Sequence, residues 1–210
     1  FPFIQSMGAT AFLFPGQGAQ YVNMGFQLYK TAPIFRKAVD ECDQIFQAYL
    51  GRSILPILYP ALAGTSNPGS TRDMREQATL IYESRYAQPA IFTIAYALTQ
   101  LWTTLMGKPA FVLGHSTGEY IAACVAGVFS LEDSLRLVVE RGQLVQSLPP
   151  LGSTVVVMQS EATVQELLQA HPKVTLAAIN GPGSVVISGL KADMAPVLDE
   201  LFARRIIARA

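Results

Sequence analysis

The sequence predicts an α/β fold in two parts, and three observations support this prediction. The 210 residues are 50% hydrophobic and 14% charged, so the chain is long and apolar enough to bury a core. Two short apolar runs each stop at a glycine-containing loop, as buried strands do. After residue 150 the pattern changes to short strands and helices in the order βαββαβ, which is that of a ferredoxin-like unit. We therefore expect a larger unit over residues 1–150 and a smaller one over 151–210.

In the larger unit, the two apolar runs predict strands at Ala11–Phe14 and Ala110–Leu113. Apolar periodicity predicts helices at about 24–49, 88–106, 122–128 and 131–148. An exposed loop is expected at 60–73, where small and polar residues cluster. The smaller unit is expected to hold strands at 154–158, 174–179, 185–188 and 205–209, with helices at 162–170 and 192–203.

Composition and charge exclude several classes of function. The formal net charge is zero, and no basic stripe is present that would attract nucleic acid or an anionic membrane. No apolar run reaches the roughly 18 residues of a membrane span. Cys42 and Cys124 fit neither a disulfide framework nor a zinc pattern, so we expect both to be buried in a cytoplasmic, metal-free protein. The opening residues are too short and uncharged for a signal peptide and do not begin with Met, which indicates a segment of a longer chain.

A serine nucleophile is indicated where the second strand ends. The residues there fit G-x-S-x-G between a strand and a helix, in the order Gly114-His115-Ser116-Thr117-Gly118. Glycines permit the tight turn, and the serine Oγ then stands exposed at a helix N-terminus. The N–H of Thr117 can point at a developing oxyanion, and the glycine-rich loop after the first strand, Pro15–Gln20, could supply a second donor.

These two motifs resemble those of the malonyl-CoA:acyl carrier protein transacylases, in particular the acyltransferase domains of modular polyketide synthases. The resemblance covers residues 11–210 and depends on Phe14–Gln20 and Gly114–Tyr120. Supporting segments are Tyr86–Phe92, Glu140–Gly142 and Ala177–Pro182. It implies an α/β-hydrolase-like large subdomain, here incomplete, with an inserted ferredoxin-like small subdomain. The second part agrees with the βαββαβ order found above.

The resemblance also implies roles for single residues. Ser116 is the nucleophile, and the N–H groups of Gln17 and Thr117 form the oxyanion hole. Arg141 receives the free carboxylate of a malonyl-type substrate, for which a planar, always charged guanidinium is suited. The remaining implied or expected site residues line the cleft: Gln88, His115 and Asn180. Arg141 facing solvent, or paired with Glu140 or Asp133, is the alternative.

Neither histidine of the sequence fits the general base that serine chemistry needs. His115 precedes the nucleophile and should point away from it, and His171 is expected to be a solvated loop residue. The resemblance implies a base histidine shortly beyond Ala210, so we expect the 210 residues alone to be inactive or poorly soluble.

The resulting hypothesis is an acyltransferase that loads an acyl group from coenzyme A onto Ser116 and passes it to the phosphopantetheine thiol of an acyl carrier protein. No permanently bound cofactor is expected, and a neighbouring ketosynthase is an expected partner. Tyr86-Ala87-Gln88 resembles the type that selects malonyl-CoA over methylmalonyl-CoA. Two alternatives stay open: a serine hydrolase such as an esterase, and an inactive scaffold that docks carrier proteins.

Overall fold

The computed structural model describes residues 9–62 and 79–209. The chain forms two compact units that divide between Ser147 and Leu148. The larger unit combines a parallel strand pair with helices, and the smaller one combines an antiparallel sheet with two helices. The mixed α/β class predicted from the sequence is confirmed. The opening segment, and residues 63–73 of the expected loop, lie outside the described residues.

The larger unit places the carboxyl ends of two parallel strands side by side. Strand β1 (Ala11–Phe14) pairs with β2 (Phe111–Gly114), and Phe14 lies opposite Gly114 at the last position of both. The backbone N–H of His115 donates to the carbonyl of Phe14 at 2.9 Å, which extends the contact beyond the strands. The two loops that follow the strands therefore start next to each other.

Within residues 9–62 and 79–147 the larger unit has six α-helices: α1 (Phe26–Thr31), α2 (Pro33–Leu50), α3 (Leu55–Leu58), α4 (Ser84–Met106), α5 (Gly118–Val125) and α6 (Leu131–Ser147). Their apolar faces meet in one core, whose large members include Phe35, Phe46, Phe92, Ile121 and Leu135. Burial of these side chains is the main stabilising term, at about 1.5–3 kcal/mol for each large apolar side chain. The core fixes α4 and α6, which carry the site residues described below.

The prediction of a single helix at about 24–49 is wrong, because the structure has two helices there. Ala32 separates them with an extended backbone, φ −110° and ψ 101°. Pro33 disfavours a helical conformation in the residue before it, and its own fixed φ suits the first position of a new helix. The break therefore follows directly from proline chemistry.

Helix α4 begins four residues earlier than predicted, at Ser84. The carbonyl of Glu83 accepts hydrogen bonds from the N–H groups of Tyr86 and Ala87, each at 2.8 Å. The helix is thus established before Pro89, whose missing N–H removes one later bond without preventing the first turn. Helix α5 also begins earlier than predicted, at Gly118 instead of Ala122.

The strands β1 and β2 were predicted to be buried, and the structure corrects this, because most of their side chains are partly or largely exposed. Leu13, Phe111 and Leu113 are 71%, 66% and 63% exposed. Contiguous exposed apolar surface favours association with other apolar surface. Poor solubility of these 210 residues alone stays a prediction, which the exposed side chains support.

The two cysteines are free and differ in burial. Cys42 lies in the core, and burial raises the pKa of its thiol. Cys124 is only partly buried, which corrects the expectation that both would be buried, although burial raises the pKa of its thiol as well. Raised thiol pKa values indicate unreactive side chains that act as small apolar residues.

The smaller unit has the strand order of a ferredoxin-like sheet. Its elements are β3 (Gly152–Val157), α7 (Glu161–Leu168), β4 (Thr175–Gly181), β5 (Ser184–Leu190), α8 (Lys191–Ala203) and β6 (Ala208–Arg209). The strands lie in the order β4-β5-β3-β6, and every neighbouring pair is antiparallel. Alternate residues of β3 and β5 pack with α7 and α8 in a core of their own. The predicted βαββαβ order is confirmed.

The last strand is shorter than predicted and begins at Ala208 instead of Arg205. Arg205 has a left-handed backbone, with φ 56°. Its N–H donates to the backbone carbonyl of Phe202, and the N–H of Ile206 donates to the backbone carbonyl of Leu201. These bonds satisfy the last carbonyls of α8, so the residues close the helix before the strand can start.

His171 is not the solvated loop residue that the sequence suggested. Its Nε2 lies 3.0 Å from Oε2 of Glu200, and its side chain is 18% exposed. Arg204 also pairs with Glu200. The hydrogen bond from His171, together with the charge of Arg204, holds the pKa of the Glu200 carboxyl below its usual value.

We expect this pairing to make the smaller unit less stable in acid. A carboxyl with a lowered pKa in the folded state stabilises the fold above its ordinary pKa of about 4.3, and this contribution is lost as the pH falls through the lowered value. Glu200→Gln should reduce hydrogen-exchange protection of α8 near neutral pH, and the difference from wild type should shrink below about pH 4.3. Asp199→Asn, an exposed carboxylate on the same helix, is the control. A pH-independent difference would contradict the expectation.

Candidate active site

Ser116 lies in a sharp turn between β2 and α5. Its backbone is left-handed, with φ 53°, and the residue is exposed. Thr117 follows as the N-cap of α5, and Gly118 is the first helical residue. A left-handed backbone costs about 1–2 kcal/mol for a residue with a side chain, so the turn holds Ser116 in a strained conformation. This is the strand–turn–helix context that the motif predicted.

Close backbone packing holds the turn in place. A Cβ on Gly118 would lie 2.2 Å from the carbonyl oxygen of Phe14. A Cβ on Gly114 would lie 2.2 Å from the backbone nitrogen of Glu119. Neither distance is possible for a real side chain, and the atoms that would be displaced belong to the backbone. Both glycines are therefore required to bring the turn, the helix and the end of β1 together.

The loop after β1 lies directly against the nucleophile. A Cβ on Gly16 would lie 3.0 Å from the Cβ of Ser116 and 2.7 Å from the carbonyl oxygen of His115. The buried side chain of Gln20 fixes the same loop, because its Oε1 accepts from the N–H of Gly18 at 2.8 Å. Gln17 stands between these two anchored glycines. Its backbone is thereby placed within the loop that contacts Ser116.

Arg141 projects from α6 toward the residue after the nucleophile. Its Nη1 donates to Oε1 of Gln88 at 2.6 Å and to Oγ1 of Thr117 at 3.4 Å. The guanidinium also lies over the ring of Tyr120, 5.8 Å from the ring centre. Gln88 and Thr117 are fully buried, whereas Arg141 is half-buried. Both hydrogen bonds use Nη1, and the opposite edge of the fork, Nε and Nη2, has the geometry that matches a carboxylate.

The alternative pairing of Arg141 with acidic residues of its own helix is not what the structure shows. Glu140 binds Nε of Arg136 at 2.8 Å. Asp133 accepts from the hydroxyl of Ser130 at 2.6 Å. Arg141 is hydrogen-bonded to neutral groups instead. Because these partners do not neutralise the guanidinium, its positive charge is available to bind an anion.

The side chain of Gln17 is held at both ends of its amide. Its Oε1 accepts from Nε2 of Gln88 at 3.3 Å, and its Nε2 donates to Oγ of Ser84 at 3.2 Å. A continuous chain of hydrogen bonds therefore runs from Arg141 through Gln88 and Gln17 to Ser84. The loop next to the nucleophile and the guanidinium are parts of one network.

The structure thus brings together Ser116, Gln17, Thr117, Gln88, Arg141 and His115. The ring of His115 lies against the loop after β1, since its Nδ1 would be 3.2 Å from a Cβ on Gly16. Asn180 is exposed at the end of β4, in the smaller unit. Its position near the cleft stays a prediction.

The sequence did not single out Ser84 and Tyr120, which contact this cluster, or Gln146, which binds Ser84. Tyr120 was within reach of such reasoning, because it lies in the first turn of the helix that follows Ser116. The sequence gives no signal for Ser84 or Gln146. Ser84 contacts Gln146, 62 residues away, and Gln17, 67 residues away, and contacts over such separations leave no local pattern.

Neither a metal site nor a membrane span is found in the part of the chain that the structure describes. Across residues 9–62 and 79–209, no three or more His, Cys, Asp or Glu side chains are grouped so that they could hold a metal ion. No helix among those same residues is long and apolar enough to cross a bilayer.

Known proteins are similar to this chain in both sequence and fold. Mycoketide-CoA synthase of Mycobacterium tuberculosis is 38% identical over 93% of this chain, which spans 4% of that synthase. The solved acyl transferase domain of ZmaA has a TM-score of 0.82 at 35% identity, over 98% of this chain and 46% of its own. An acyl-carrier-protein S-malonyltransferase from Burkholderia pseudomallei has a TM-score of 0.76 at 28% identity, over 95% of this chain and 61% of its own.

The family model described as the acyl transferase domain matches residues 11–210. This range contains the strained Ser116, the loop packed against it and the hydrogen-bond network of the half-buried Arg141. Sequence, fold and site geometry agree, and the chain belongs to the acyl transferase domain family.

Proposed function

We propose that the protein takes a malonyl group from coenzyme A onto Ser116 and passes it to the phosphopantetheine thiol of an acyl carrier protein. The observation that carries this proposal is the half-buried guanidinium of Arg141, bound to Gln88 and Thr117 beside the nucleophile. The names of two relatives support it: one is a mycoketide-CoA synthase, and one is an acyl-carrier-protein S-malonyltransferase.

The site residues suit the first half of such a reaction. The Oγ of Ser116 attacks the thioester carbonyl, and negative charge develops on the carbonyl oxygen. The N–H of Thr117, at the start of α5, and the N–H of Gln17 are proposed to stabilise this oxyanion, a contribution of about 2.7–4 kcal/mol per donor in comparable sites. Collapse of the intermediate breaks the C–S bond, releases coenzyme A and leaves the acyl group on Ser116.

The second half repeats the chemistry with a different acceptor. The phosphopantetheine thiol attacks the acyl-serine carbonyl, the same donors hold the oxyanion, and Ser116 leaves with a proton. In the first half, a base must remove the proton of Ser116 and give it to the sulfur of the departing coenzyme A. In the second half, the base must remove the proton of the phosphopantetheine thiol and give it to the Oγ of Ser116. His171 is engaged with Glu200 in the smaller unit, so the proposal does not use His171 as this base.

The acceptor is tested with the full-length protein, malonyl-CoA and an acyl carrier protein that bears phosphopantetheine. We expect malonyl transfer to the carrier in wild type, and a loss of at least about a thousandfold in Ser116→Ala, which removes the nucleophile. Mass spectrometry of the carrier measures the transfer. Release of free malonate at the same rate with and without carrier would instead identify a hydrolase. Carrier binding without acylation of Ser116 would identify a scaffold.

A further inference from the structure

Ser84 occupies an unusual position for a serine at the start of a helix. It is the first residue of α4, and a serine near a helix N-terminus ordinarily caps its own helix. Here its Oγ accepts instead from Nε2 of Gln17, 67 residues away, at 3.2 Å. The hydroxyl therefore serves the loop next to Ser116 and not its own helix.

Ser84 is itself held by α6, the helix that carries Arg141. Its N–H, one of the donors that a helix leaves unpaired at its start, donates to Oε1 of Gln146 at 2.8 Å. Gly142 packs so closely that a Cβ there would lie 2.7 Å from the carbonyl oxygen of Ser84. Ser84 is thus fixed by two contacts from α6, one of them through backbone that cannot shift easily.

We infer that Ser84 is a positioning residue for the oxyanion loop and that Gln146 holds Ser84 in place for this role. Gln17 carries a proposed oxyanion donor on its backbone, and its side-chain amide is anchored by Ser84 on one side and Gln88 on the other. The inference rests on the proposed function. It adds a physical link between the loop that stabilises the oxyanion and the helix that binds the acyl carboxylate.

The consequence is a specific kinetic effect. Loss of the Ser84 hydroxyl removes one of the two anchors of the Gln17 side chain, so the loop can move while the bound substrate keeps its other contacts. An oxyanion exists only in the transition state and the intermediate. A loosened donor should therefore lower the maximal rate of acylation and leave the half-saturating substrate concentration unchanged.

The test is single-turnover acylation of Ser116 in the full-length protein, with malonyl-CoA and acetyl-CoA as substrates. We expect Ser84→Ala to lower the maximal rate about two- to tenfold, the worth of one hydrogen bond, and by the same factor for both substrates. Ser84→Thr keeps the hydroxyl and should recover most of the rate. Gln146→Ala should act in the same direction as Ser84→Ala.

A double-mutant cycle separates positioning from a general loss of stability. If Ser84 acts through the side chain of Gln17, Ser84→Ala should have no further effect in a Gln17→Ala background. A full effect in that background, or an unchanged rate in Ser84→Ala alone, would overturn the inference and leave the proposed function intact. Failure of the wild-type protein to be acylated by either substrate would overturn both.

Discussion

Arg141→Ala should lower malonyl loading of Ser116 about ten- to a hundredfold more than acetyl loading. A malonyl group ends in a carboxylate, which would lose the charged edge of the guanidinium as its partner. An acetyl group has no carboxylate and loses no such contact. The measurement is the rate of Ser116 acylation from malonyl-CoA and from acetyl-CoA, in wild type and variant.

The acetyl substrate is also the control for structural damage. Arg141 donates to the fully buried Oε1 of Gln88, and its removal leaves that oxygen unpaired in the interior, at a cost of about 1–3 kcal/mol. Such damage would slow both substrates equally. Arg141→Lys should recover only part of the malonyl rate, because an ammonium cannot form the two parallel bonds of the fork. Equal losses for the two substrates would mean that Arg141 is structural.

Gly118→Ala should disable the site through the backbone. The added methyl group would lie 2.2 Å from the carbonyl oxygen of Phe14 and 2.9 Å from that of Pro15. The turn or the strand must move to accept it, which should lower the free energy of unfolding by about 1–3 kcal/mol. A displacement of about 1 Å at the nucleophile can reduce the rate about a hundredfold. Urea unfolding and the rate of Ser116 acylation measure the two effects.

Gly183→Ala is the matched control for this substitution. A Cβ at Gly183 would meet nothing within 4 Å, so the same added methyl group should leave unfolding and acylation close to wild type. Wild-type stability and acylation in Gly118→Ala would contradict the close packing of the turn against β1.

Much of the fold could be predicted because local chemistry decides it. Two apolar runs that end at glycine loops are sufficient to indicate the two strands of the large unit, although not their partial exposure. The order of apolar runs and helical patterns in the small unit indicates its βαββαβ order. The boundary errors have local causes as well. Pro33 divides a helix whose apolar rhythm continues across it, and the left-handed Arg205 delays the last strand. The apolar periodicity of the sequence reveals neither the break in the helix nor the late start of the strand.

The site was predictable only in part, because some of its contacts join distant positions. The G-x-S-x-G motif locates Ser116 and Thr117 within a few residues of sequence. The pairing of Arg141 with Gln88 joins positions 53 residues apart, and that of Gln17 with Ser84 joins positions 67 apart. The resemblance to a family suggested that Arg141, Gln88 and Gln17 belong to the site, and only the structure shows the two contacts. His171 was misjudged for the same reason, since its partner Glu200 lies 29 residues further along.

The most direct test of the account is peptide mapping of the full-length protein after brief exposure to malonyl-CoA in the absence of a carrier. The account predicts one malonyl group, attached to Ser116 and abolished in Ser116→Ala. Malonylation at another residue, or an unmodified Ser116 in a protein that still charges its carrier, would contradict it.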